Sequence, residues 1–140
     1  MNQQNVDMFI LSKGHYFPSS ALLLIRERLN KLDDSYLSNL LSAKFKNPTM
    51  GFFFSIGLGV YGVDRFYVGH IFVGILKLIL TLVFFVTYFF VLFKDYPNPI
   101  FVGLLIILGL GVLIWYIVDI FNISNAIKEY NYSYLITLLN

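Results

Sequence analysis

The chain contains no cysteine. That excludes disulfides, zinc–thiolate centres and cysteine nucleophiles. Histidine is nearly as scarce, and His15 and His70 are too few for a histidine-rich metal site. Charge is also short. Asp, Glu, Lys and Arg make up 13% of the chain, against about 25% in a soluble domain. A net charge of +2, with no basic patch, excludes a nucleic-acid partner. The first residues have neither a basic start nor an apolar run. No signal peptide is therefore expected, and the first membrane segment must act as its own insertion signal. No Ser/His/Asp, metal-ligand or phosphate-loop arrangement has a workable spacing, so no enzyme and no cofactor are expected. Gly57, Gly59 and Gly62 match Gly-x-Gly-x-x-Gly literally. No strand precedes them and no acidic ribose partner follows, so the dinucleotide reading is discarded.

What remains is strongly apolar. The 140 residues are 58% hydrophobic, with 15 Phe and 10 Tyr, and the mean hydropathy is +0.73. This composition predicts an all-α integral membrane bundle. Three apolar stretches carry it, residues 49–63, 71–93 and 100–121. The last two are each about 22 residues long, enough as helices to cross a hydrocarbon core of about 30 Å. Between them, residues 94–99 form a polar turn rich in helix breakers, so the two are expected as an antiparallel pair. The first stretch, at about 22 Å, is short for a span. It either crosses with help from its flanks, the preferred reading, or forms a re-entrant helix. Gly51, Ser55, Gly59 and Gly62 recur along one of its faces as a small-residue surface that lets another helix approach closely.

Residues 1–47 are polar to amphipathic, residues 48–123 form the membrane domain, and residues 124–140 form a C-terminal tail. Residues 1–7 are expected to fray. Ser19 and Ser20 offer an N-cap for a helix whose apolar face is Leu22, Ile25, Leu29 and Leu32. Asp33, Asp34 and Ser35 then break that helix and cap a second one, striped by Leu37, Leu40, Leu41 and Phe45. The region reads as a short helical hairpin. Lys44 and Lys46 lie just before the first apolar stretch. The positive-inside rule therefore puts the N-terminal region in the cytoplasm.

Four charges break the apolar pattern. Asp64 and Arg65 immediately precede the second long stretch, Lys77 lies inside it, and Asp119 lies near the end of the third. An antiparallel pair brings all four to one side of the membrane. An intramembrane charge costs about 2.5–3.5 kcal/mol on insertion scales, so pairing is favoured. Arg65 or Lys77 is expected to pair with Asp119 as a polar clamp. Tyr67, Trp115 and Tyr116 are read as interfacial anchors. The partners expected from the sequence are the lipid bilayer and either a second copy or another membrane protein.

The run Gly59-Val60-Tyr61-Gly62-Val63-Asp64-Arg65-Phe66-Tyr67-Val68-Gly69, followed by Gly74 and Lys77, resembles the Asp-Arg-Phe signature of the two-transmembrane "TM-two" domain family. Trp115-Tyr116-Ile117-Val118-Asp119-Ile120 is similar to that family's closing element, and Lys46-Asn47-Pro48 to its start. The resemblance covers about residues 46–123. Residues 80–108 depart from it, because they extend a short connection into two full-length hydrophobic segments. A looser likeness of residues 13–18 and 25–29 to the leader of bacterial members implies a bacterial plasma membrane. The resemblance implies a module that signals or modulates membrane partners; with no catalytic arrangement in the sequence, a non-enzymatic scaffold or regulator is expected, packing with itself or a partner. A small channel or proton-coupled transporter subunit is the other reading.

Overall fold

The computed structural model describes residues 1–94 and 98–139. Every regular element among the described residues is helical. The helices are α1 (Gln3–Lys13), α2 (Leu22–Asn30), α3 (Tyr36–Ser42), α4 (Pro48–Leu58), α5 (Val63–Val68), α6 (Ile71–Leu92) and α7 (Pro99–Leu139). Short 3-10 turns occupy Gly14–Tyr16, Ser19–Ala21 and Gly59–Tyr61. The chain divides into two compact units, residues 1–48 with 125–139, and residues 49–124. α7 contributes its final turns to the first unit and the rest to the second.

In the first unit, α1, α2, α3 and the end of α7 enclose an apolar core of Val6, Phe9, Phe17, Ile25, Leu29, Leu40 and Leu135. Three expectations are corrected here. Residues 1–7 do not fray as a whole, because α1 begins at Gln3 and buries Val6 and Phe9 completely. The N-terminal ammonium also donates to the Leu32 carbonyl. The hairpin is therefore a three-helix arrangement. Neither expected cap forms: Ser19 and Ser20 lie in a 3-10 turn and α2 starts after Ala21, while Ser35 makes no side-chain cap bond to α3. Asp34 serves a different helix. Its Oδ1 accepts from the Asn2 amide at 2.8 Å and the Asn5 side chain at 2.9 Å, across the start of α1.

The third correction concerns residues 124–140. They are not a separate tail, because α7 runs on through Leu139. Ile127, Asn131 and Leu135 are fully buried at four-residue spacing, which is one helical face. Asn131 Nδ2 donates to the carbonyls of Tyr16 (3.1 Å) and Lys46 (2.8 Å), and its Oδ1 accepts from the Lys46 amide at 2.9 Å. One buried amide thus secures two irregular segments by their backbones.

In the second unit, α6 and α7 are long and apolar enough to cross a membrane. Lys77 meets Asp119, Phe84 meets Gly109, and Phe90 meets Phe101. The paired numbers run in opposite directions, so the two helices are antiparallel. Asn98 caps α7 by accepting from the Ile100 amide at 2.9 Å, with Pro99 at the first helical position. The turn expected at 94–99 falls largely on residues 95–97, outside the described residues. The outward faces are apolar and open, as at Phe72, Ile107 and Phe121.

The first apolar stretch is not one continuous helix. α4 has 11 residues, about 16 Å at 1.5 Å per residue. The 3-10 turn at Gly59–Tyr61 and a left-handed Gly62 (φ 79°) then reverse the chain into α5. Phe54 packs on Tyr67 and Ser55 reaches Asp64, so α4 and α5 lie side by side as a hairpin. Val60 at its tip accepts from Thr81 Oγ1 at 2.7 Å, ten residues or about 15 Å along α6. By Gly62 and Phe66 the chain is back beside Gly74. α5 ends at a left-handed Gly69 (φ 105°), where the amides of Gly69 and His70 return to the Arg65 and Phe66 carbonyls.

Candidate functional site

Asp64, Arg65, Lys77 and Asp119 converge where this hairpin meets α6 and α7. Arg65 arrives on α5 and grips Asp119 with two nitrogens. Its Nε donates to Oδ2 at 3.1 Å, and its Nη2 to Oδ1. Lys77 arrives on α6, with Nζ 2.5 Å from Asp119 Oδ2 and 3.3 Å from Asp64 Oδ2. Ser55 on α4 places its hydroxyl 3.5 Å from the same Asp64 oxygen. The Asp64 and Asp119 side chains are fully buried, Lys77 nearly so, and Arg65 retains slight exposure.

Formal charges in the cluster sum to zero. Burying ions costs several kcal/mol each, and close pairing with further hydrogen bonds is what offsets that cost. Asp119 is well supplied, with three donor contacts from two cations. Asp64 is not, because its Oδ1 has no hydrogen-bond partner among the described residues. Each charge sits on a different element except Asp64 and Arg65, which share α5. The cluster therefore ties α5 to both α6 and α7.

The residues flagged by the small-residue pattern lie inside the unit. Gly51, Ser55, Gly59 and Gly62 are all buried. A Cβ on Gly62 would fall 2.7 Å from the Gly74 carbonyl oxygen, and one on Gly59 would touch the Tyr116 ring at 3.5 Å. At these two positions, the surface expected to receive another helix is taken up by the chain's own α6 and α7. Phe66, the third member of the Asp-Arg-Phe run, lays its ring over Gly74, where a Cβ would come within 2.6 Å of it.

The anchor residues separate. Tyr116 also braces α4, since its hydroxyl donates to the Ile56 carbonyl at 2.8 Å, near the end of that helix. Tyr67 packs its ring edge-on against Phe54 at 5.1 Å between centroids. Trp115 is half-buried.

Thr81 was not singled out from the sequence, and Gly74 was named only within the Asp-Arg-Phe resemblance, without a packing role. The available signal for Thr81 was a hydroxyl one helical turn beyond Lys77. For Gly74 it was a lone glycine at the same face's preceding turn. Asn131 had a comparable signal, a polar residue in an otherwise apolar i, i+4 series. Among the described residues, no group of three His, Cys, Asp or Glu is placed to hold a metal ion.

Comparisons with protein-family models, with curated proteins and with solved structures give no match.

Proposed function

We propose that the protein is a multi-pass membrane module without enzymatic activity, a scaffold or signalling element of the TM-two type, in which a re-entrant hairpin is clamped to two spanning helices. The observation that carries this reading is the charge cluster. All four intramembrane charges are engaged in ion pairs that tie α5 to α6 and α7. Such a use of charge favours a fixed internal frame over a polar pathway. Membrane insertion is supported by the open apolar faces: none of the most apolar window of α7 is buried. A soluble protein would bury such a helix in its core.

The hairpin geometry supports re-entry of α4 and α5 over a third span. Irregular backbone is tolerated at membrane depth where protein covers it, and Thr81 and Tyr116 cover the carbonyls of Val60 and Ile56 near the tip. With Lys44 and Lys46 cytoplasmic, the residues leading into α4 and the start of α6 share the cytoplasmic side, and Asn98 faces out. A bacterial plasma membrane is part of the proposal. With Gly59 and Gly62 engaged internally, a partner or second copy would meet the open faces of α6 and α7.

The native chain has no cysteine, so introduced cysteines can be placed singly at Ser35, His70, Asn98 and Glu129 in intact cells. Ser35 and His70 should label from the cytoplasmic side and Asn98 from outside. Labelling of His70 from the side opposite Ser35 would establish three spans and defeat the re-entrant reading. Crosslinking in nanodiscs tests the scaffold role, and a clean monomer with no co-purifying partner counts against it. Robust ion flux in liposomes, abolished by Asp119→Asn, would select the transporter reading.

A further inference from the structure

We propose that Asp64 is a proton-binding site, and that its unpartnered Oδ1 is where the charge cluster takes up a proton. A buried carboxylate oxygen ordinarily accepts at least one hydrogen bond. Asp64 is fully buried and its Oδ1 accepts none among the described residues. The other oxygen is poorly served, with Lys77 Nζ at 3.3 Å and Ser55 Oγ at 3.5 Å. Lys77 is closer to Asp119, at 2.5 Å, and Arg65 also grips Asp119. The two carboxylates therefore differ in how well their negative charge is compensated. An unpaired ionised oxygen in a low-dielectric setting is far more costly than a neutral acid.

The groups facing Asp64 are Ser55 from α4, Arg65 beside it on α5, Lys77 from α6, and Asp119 from α7 across the Lys77 ammonium. The two cations favour the ionised form, but both are held closer to Asp119. A metal cation would meet Lys77 and Arg65 at close range, whereas a proton adds no volume. The proton comes from hydronium and adds to a lone pair on Oδ1. Lys77 keeps its own proton, and the cluster passes from a formal charge of zero to +1. The attraction between Asp64 and Lys77 is lost, while Arg65 still holds α5 to α7. α5 is bounded by two left-handed glycines, Gly62 and Gly69, so the change falls on a short segment with permissive backbone at each end. This goes beyond the clamp, because it gives the clamp a chemical input.

The test uses the wild-type protein in nanodiscs with a hydrophobic carbodiimide, which reacts with protonated carboxylic acids, and reads the adducts by mass spectrometry. An adduct on Asp64 that increases as pH falls, with none on Asp119, is expected. An adduct on Asp119 instead, or none on Asp64 at any pH where the protein stays folded, overturns the proposal. Infrared titration is the second measurement. A buried protonated-acid carbonyl band should appear on acidification, be lost in Asp64→Asn and persist in Asp33→Asn. Persistence of the band in folded Asp64→Asn overturns the assignment.

Discussion

Asp119 is the residue on which the second unit depends most, because Arg65 and Lys77 both need it. Asp119→Asn leaves two buried cations short of their counter-ion. Breaking a buried pair from one side costs about 3–5 kcal/mol, and a loss of that order is expected in denaturant unfolding of the detergent-solubilised protein. Adding Arg65→Met to Asp119→Asn should recover part of it, since Lys77 still has Asp64 and the cation left without a partner is then gone. Asp34 acts on a smaller scale. The Asn2 amide and then the Asn5 side chain hold its carboxyl below the usual carboxylate value of 3.8. A lowered folded-state value means a contribution present above the unfolded value and lost as pH falls through the folded one. Circular-dichroism melts on the acid side should therefore show a pH-dependent loss of α1 that Asp34→Asn abolishes.

Elements are positioned here by glycine contacts as much as by charge. Gly62 has a positive φ and lies against the Gly74 backbone. Gly62→Ala should cost about 1–3 kcal/mol from backbone strain alone, with the collision in addition. Gly57 sits on α4 with nothing within 4 Å of an added Cβ. Gly57→Ala should be neutral or stabilising by up to about 1 kcal/mol through helix propensity. Parallel unfolding curves of the two variants check this contrast. The sequence put Gly62 on the small-residue face and left Gly57 off it, but nothing there marked the left-handed backbone at Gly62. The short first stretch is likewise ambiguous by length, and the contacts of Val60 and Tyr67 are what define its reversal.

For the whole molecule, the two units call for different arguments. The unit of residues 49–124 was largely legible: two long apolar helices, their antiparallel order and the convergence of four charges all follow from hydropathy and spacing. Its small-residue face was legible as a packing surface, but not as one filled from within. The other unit was read less well. Residues 1–7 looked frayed because Met1 and Val6 are their only apolar residues, and residues 124–140 looked like a tail because alternating tyrosines concealed the four-residue series of Ile127, Asn131 and Leu135. Asn131→Ala tests how that unit is held together. It removes contacts to the Lys46 and Tyr16 backbone, and each buried polar group left unsatisfied costs about 1–3 kcal/mol. Limited proteolysis should then cut near residues 43–47 faster than in the wild type.

The sequence by itself determined the helical class, the apolar segments and the neutrality of the charge cluster, because hydropathy, length and formal charge are properties of the chain. Only the tertiary structure decided which carboxylate receives two cations and which keeps an unpartnered oxygen. It also decided that α4 and α5 double back, and that the end of α7 completes a core begun by residues 1–48. Those outcomes depend on angles and on close approaches between distant residues, and residue order does not encode them locally.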